Sequence, residues 1–248
     1  MKRILAACLL MVGGSSVITG QAPALPSAAD LVAKHVTAIG GANAFKAIAS
    51  MNARGRMEIP SQSLSGTLEI WAARPNKLVT RVDFAGEGRV ESGYDGKVGW
   101  TIDPQSGPAV MSGQRLVEMI DDARFDGTLH PADHIKTMTT VAKTTFDKRD
   151  AYKVHIVYAS GREQDEFFDA EHGWQLGWEG QRQTQMGLVP SSTIVRDYKK
   201  FGALMQATTL VERALGFEAI LKITSYTYDM VPTTAFDLPA AIKKLVGR

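Results

Sequence analysis

The chain has 248 residues, 44% of them hydrophobic, with a formal net charge of +2 and a single cysteine. The charge excess resides in Lys2 and Arg3, so the remainder is balanced and lacks the basic stripe that nucleic-acid binding demands. One cysteine cannot form an internal disulfide, and a chain of this length can bury roughly 70–75% of its unfolded surface in one core without metals or bridges as staples.

Lys2 and Arg3 precede an apolar stretch from Ile4 to Val12, and Gly13, Gly14, Ser15 and Ser16 follow. That order is the layout of a secretory signal peptide. The stretch is shorter than the about 20 apolar residues needed to span a bilayer. The expected layout is a signal peptide over 1–24, cleaved between Gln21 and Ser27, and a single domain over 27–248 in the periplasm. Cys8, in Leu5-Ala-Ala-Cys8, has the form of a lipoprotein box, but cutting there would leave a signal too short for a working apolar core. Lipid anchoring at Cys8 is therefore not expected, and the exported chain would carry no thiol nucleophile.

Ser27 and Asp30 have the spacing of a capping box, so a helix is predicted to follow and to end at Gly40-Gly41. A second short helix is predicted over Ala42 to Ser50. From Asn52 the apolar period changes to two, and half-buried strands are predicted over Gly66–Ala73, Asn76–Phe84 and Lys97–Asp103. Turn residues separate them, with Asp95-Gly96 the sharpest hairpin signal because both central positions of such a turn prefer positive φ. Gln114 to Phe125 returns to the helical period, with Leu116, Met119, Ile120 and Ala123 on one stripe. Strands resume at Ala151–Ala159, Glu163–Phe168, Gln175–Gln183, Ser191–Tyr198, Met205–Glu212 and Ala219–Asp229, and a last helix is predicted from Pro239 to Val246. This rhythm describes a meander of antiparallel strands, closed or half closed.

Chemistry-bearing motifs are sparse. His130 and His134 are four apart, but Pro131 makes their segment a loop with no third ligand at metal-site spacing. His172, beside Asp169 and Glu171, fits a polar hairpin between Phe168 and Trp174 better than an acid–base group. Asp121-Asp122 reads as the solvated side of its helix. No nucleophile elbow, phosphate-cradling loop or zinc-protease motif occurs. No catalytic residue, metal or cofactor is expected, and the chain is read as a non-enzyme.

The strands do supply apolar faces. Leu68, Ile70, Leu78, Val82, Phe84, Val98, Trp100, Ile102, Tyr152, Val154, Ile156, Phe168 and Trp178 are the candidate lining of a ligand cavity. An acyl chain buried against them would gain about 0.8 kcal/mol per methylene. Filling of an ordinary core is the competing reading of the same residues.

Several short motifs, taken in order, resemble periplasmic proteins of the lipoprotein-carrier (LolA/LolB-like) superfamily. They are Ala38-Ile39-Gly40-Gly41, Trp71-Ala-Ala-Arg74-Pro75-Asn76-Lys77, Tyr94-Asp95-Gly96 before Gly99-Trp100, Asp197-Tyr198 and Phe236-Asp-Leu-Pro239. The resemblance covers about Asp30 to Pro239. It implies a mainly β fold with some α: an antiparallel sheet curled into an incomplete barrel, with helices as a lid. It also implies a binding or carrier role toward an acylated lipoprotein or lipid, and a membrane-associated donor or acceptor protein as a partner. Two alternatives stay open on the same fold. One is a sensory or scaffold domain that binds a protein partner. The other is an enzyme built on the barrel, which inward polar groups such as Arg81 or Glu166 would favour, although alternation points Arg81 outward.

Overall fold

The computed structural model describes residues 24–184 and 186–247. The leader expected over 1–24, with Cys8, lies outside the described residues apart from Ala24. Ser27 caps α1 (Ala28–Ala38): its Oγ accepts the Asp30 amide at 3.1 Å and donates to the Asp30 carboxylate at 2.6 Å. Gly40 and Gly41 both take positive φ and end the helix. Helix α2 (Ala42–Lys46) is shorter than predicted, because the chain from Ser50 onward enters a strand.

Among the described residues, thirteen strands form one antiparallel sheet. On one side of the chain's midpoint run β1 (Ser50–Ile59), β2 (Leu64–Ala73), β3 (Lys77–Phe84), β4 (Gly88–Tyr94), β5 (Gly99–Asp103) and β6 (Gly107–Val110). On the other run β7 (Ile135–Phe146), β8 (Arg149–Tyr158), β9 (Glu163–Asp169), β10 (Gln175–Thr184), β11 (Gly187–Phe201), β12 (Leu204–Ala214) and β13 (Phe217–Tyr228). The spatial order is β6-β5-β4-β3-β2-β1-β13-β12-β11-β10-β9-β8-β7. The chain thus meanders from the centre to one edge, crosses through α3 (Gly113–Asp122) to the far edge, and meanders back until β13 pairs with β1. Helix α4 (Ala240–Leu245) closes the fold. No helix among the described residues is long and apolar enough to cross a membrane.

Four strands were not among those predicted individually: β1, where only a change of period from Asn52 is read from the sequence, and β4, β6 and β7. β7 is threonine-rich, sits at a sheet edge and carries two register shifts, which break its alternation. β6 is a four-residue edge strand containing Pro108, and β4 begins within the glycines of a turn. At Asp95-Gly96 only Gly96 takes positive φ. The Asp95 carboxylate instead accepts the amides of Lys97 and Val98 at 2.8 and 2.7 Å, so a side-chain turn makes the connection.

Strand register sorts the apolar residues onto two faces. Leu68 pairs with Val82 and Ile70 with Thr80, and Leu68, Ile70 and Val82 pack with Ala53, Leu221 and Ile223 in one cluster on the first face. Farther along that face, Val154, Ile156, Tyr158 and Phe168 pack against Ala28 and Leu31 of α1. The second face carries Trp71, Val79 and Trp100, covered by Phe236, Leu238 and Ile242 from the C-terminal segment. Gly93 permits that arrangement, since a Cβ there would lie 2.5 Å from the Trp100 ring.

Candidate functional site

Helices α1 and α3 lie over the first face, and the cavity of interest lies beneath them. Asp121 and Asp122, at the end of α3, are drawn into ion pairs with the sheet, although Asp122 stays exposed as its sequence reading expects. Arg162 in the β8–β9 turn donates from Nη1 to Asp122 at 3.0 Å, and its Nε lies 3.6 Å from Asp121. Arg182 of β10 donates to Asp122 at 2.6 Å, and Ser160 donates to Asp121 at 2.8 Å. The Glu118 carboxylate accepts the Gln183 amide at 3.0 and 3.2 Å through its two oxygens. The other end of α3 reaches Gly99, where a Cβ would lie 2.8 Å from Leu116. Helix α3 therefore contacts β4 and β5 as well as β10.

Under this strap is a cavity of about 210 Å³. Its walls include Val32 and His35 of α1, His134 and Pro131 from the segment before β7, and Ile156, Tyr158, Gln164, Glu166, Phe168, Gln175 and Trp178 from the sheet. The Glu166 carboxylate accepts hydrogen bonds from Gln175 Nε2 at 2.9 Å and Gln164 Nε2 at 3.2 Å. Burial raises its carboxyl above the usual range despite those donors. The Arg162 guanidinium stacks 4.3 Å from the Tyr158 ring centroid, and burial likewise raises the Tyr158 hydroxyl. Burial lowers His134, with the nearby Arg124 charge acting in the same direction. His35 donates from Nδ1 to the Gly173 carbonyl at 3.1 Å, and burial brings it down to about 4.

A second, more apolar groove of about 310 Å³ adjoins the cavity. Ala29, Val32, Ala33 and Val36 of α1, Ala42, Leu129 and Met138 line it, and it shares Val32, Thr128 and Pro131 with the polar cavity as a common wall.

The expected lining residues divide three ways. Ile156, Phe168 and Trp178 border the polar cavity. Leu68, Ile70, Leu78, Val82, Phe84, Tyr152 and Val154 lie on the same face, with Leu68 and Val154 fully enclosed among packed neighbours. Val98, Trp100 and Ile102 belong to the opposite face, packed around α4. Sequence alternation groups residues that share a face but does not say which of two apolar faces carries the helices. Arg81 also lies on the second face, paired with Glu91 at 3.0 Å and stacked 4.9 Å from Trp71. Glu166 does point into the cavity, and its parity with Phe168 was the signal for that.

His172 sits in the predicted polar hairpin, where the Asp169 carboxylate accepts its amide and that of Glu171. His130 and His134 fall on short 3-10 turns, and no cluster of metal-ligating side chains occurs among the described residues.

The architecture is a mainly β protein whose antiparallel sheet carries a few helices on its faces. Solved structures with that fold are known. The chain is similar to a DUF1329 family protein from Desulfovibrio piger at 12% identity, with a TM-score of 0.57, covering 86% of this chain and 98% of that one. It is similar to a LolA superfamily protein from Nitrosomonas europaea at 13% identity, with a TM-score of 0.56, covering 86% and 99%. It is also similar to a domain assigned to the outer membrane lipoprotein-sorting proteins from Vibrio parahaemolyticus, at 13% identity and a TM-score of 0.55, covering 88% and 100%. No family model matches the sequence, and no curated protein matches it. The fold is thus LolA-like, in agreement with the motifs of the sequence.

Proposed function

We propose that this protein is a periplasmic, non-enzymatic carrier-like binding protein that shelters the acyl part of a lipoprotein or lipid between the first face of the sheet and helices α1 and α3. The LolA-like fold is the observation that carries this reading. In it, the sheet is a half-barrel and the helices are its lid. Supporting the curvature, six strands separate β4 from β10 in the sheet, yet α3 touches both. A flat sheet would set those strands about 34 Å apart at about 4.8 Å per strand. A ten-residue helix is only about 15 Å long.

The cavity and groove beneath α1 together fall within the ~300–1,000 Å³ of pockets that enclose small-molecule ligands. Val32, Val36, Leu129 and Met138 supply the apolar wall for a chain. Glu166 has both oxygens engaged by glutamines, which suits a fixed polar wall better than a proton-transfer group. A second reading, a module that docks a protein partner, draws on Leu188, Leu215 and Phe217, which stand exposed near two hairpin tips.

The two readings separate on one experiment. The full chain is exported from a bacterial host, purified without detergent, extracted with organic solvent and analysed by mass spectrometry. Acylated species recovered in a fixed ratio to folded protein support the carrier. Protein free of any such species, which also fails to bind a fluorescent fatty acid, overturns it.

A further inference from the structure

The groove beside α1 is apolar, but the cavity that adjoins it is not, and its polar atoms are incompletely matched. Among the described residues, five buried side-chain nitrogen or oxygen atoms have no hydrogen-bond partner. Three of them, Arg162 Nε, Arg124 Nε and His134 Nδ1, belong to residues that line this one cavity. Arg162 and His134 are only 8% and 7% exposed. A buried unmatched donor or acceptor costs about 1–3 kcal/mol, so such atoms concentrate where something else supplies the match.

The chemistry of that match follows from the wall. Arg124, Arg162 and Arg182 line the cavity together with Asp121, Asp122 and Glu166, and Arg162 and Arg182 pair directly with the aspartates, so the formal charges balance. A fully charged head group would find no net counter-charge here, and its desolvation would go uncompensated. The Arg124 Nε–H can donate to a carbonyl oxygen and the His134 Nδ1 can pair with a hydroxyl or amide, whereas Arg162 Nε already lies 3.6 Å from the Asp121 carboxylate. Gln164 and Gln175 hold Glu166 in place and offer their own amide oxygens as further acceptors. Val32, Thr128 and Pro131 belong to both compartments, so one molecule can have its chain in the groove and its head in the cavity.

From this juxtaposition we infer that the cavity is a head-group subsite for a neutral, hydrogen-bonding head, an ester or amide carbonyl beside a hydroxyl or N–H, as in a monoacylglycerol or an N-acyl amide. This rests on the carrier reading above and adds the class of amphiphile that the site selects.

The test uses the full chain and a bound fluorescent fatty-acid probe, displaced by three competitors with the same saturated tail: a monoacylglycerol, the free fatty acid and the alkyltrimethylammonium. The monoacylglycerol is expected to compete about tenfold better than either charged amphiphile, the worth of one well-placed hydrogen bond in a buried site. H134F keeps a ring against Tyr158 but removes the nitrogen, and Q164L removes an amide from the far wall. Each variant, its folding checked by its melting curve, is expected to erase most of that preference, read as the ratio of the competitors' displacement constants so that any general change in probe affinity cancels. Equal displacement by all three competitors overturns the head-group subsite and leaves the carrier reading intact. A preference that survives in both folded variants also overturns it. Failure of the probe to bind at all removes the carrier reading and this inference with it.

Discussion

Arg162 donates to Asp122 at 3.0 Å and so fastens the end of α3 to the turn between β8 and β9. The Arg162 side chain is almost wholly enclosed, whereas about a third of Asp122 is open to solvent. Removing the carboxylate leaves a buried guanidinium with a weaker partner in Asp121. D122N is therefore expected to lower stability by about 1–3 kcal/mol, less than the loss of a fully enclosed pair. The effect should be local. Hydrogen exchange is predicted to accelerate in α3 and in the 160–163 turn before it changes in β1 or β2.

Arg74 holds the other side of the helical layer. Its Nε donates to the Ile48 carbonyl at 2.8 Å, its Nη2 donates to the Phe45 carbonyl at 3.0 Å, and its Nη1 pairs with Asp126. The guanidinium also lies over Phe125, 5.2 Å from the ring centroid. A lysine keeps the charge but not the planar fork. R74K is predicted to cost about 1–3 kcal/mol and to raise the dissociation rate of a bound acyl probe in stopped-flow measurements, because α2 and the segment after α3 lose their common anchor.

The second face should behave as packing alone. Trp100 is fully buried under Ile242 and Phe236. W100A is expected to cost about 3–5 kcal/mol in denaturant melts. G93A should cost about 1–3 kcal/mol or more by driving a methyl into the indole. Under conditions where both variants remain folded, neither should change acyl-probe affinity, since their sites lie across the sheet from the cavity.

His35 gives the fold a pH dependence whose sign is determinate. Burial lowers its folded value from 6.5 to about 4, so between those pH values the unfolded chain binds a proton that the folded chain does not. Its stabilising contribution is complete above about pH 6.5 and is lost as pH falls toward 4, by about 3 kcal/mol at most. Glu166 has the opposite sign. Its raised carboxyl favours the folded state at low pH, and that contribution fades as pH rises above the ordinary carboxylate range. Urea midpoints of E166Q are expected to fall more steeply than wild type as pH drops from 7 to 4, and those of the E166Q/H35Q double variant to fall less steeply than E166Q alone.

Much of the fold is legible in the sequence because alternating strands and glycine turns are local signals. Leu68 with Ile70, Val82 with Phe84 and Val154 with Ile156 each share a face as their spacing predicts. The face itself is a tertiary property. Trp100 flanks two small or polar neighbours, Gly99 and Thr101, and it is those neighbours that meet the side of the sheet bearing α3. The ion pairs at the C-terminal end of α3 are hidden in the sequence for a related reason. Asp121 and Asp122 look solvated until Arg162 and Arg182, distant in sequence, arrive from the sheet. Glu166 was readable as inward from its parity with Phe168, but the two glutamines that hold it come together only through strand pairing.

Photo-crosslinking tests the central claim most directly: a fatty acid carrying a diazirine near its tail end is bound to the full chain, activated by light, and the labelled peptides are mapped by mass spectrometry. The account predicts labels on the α1 peptide containing Val32 and Val36 and on the β7 peptide containing Met138, suppressed by excess unlabelled lipid. Labels confined to the opposite face around Val98–Ile102, or no competable label at all, would contradict it.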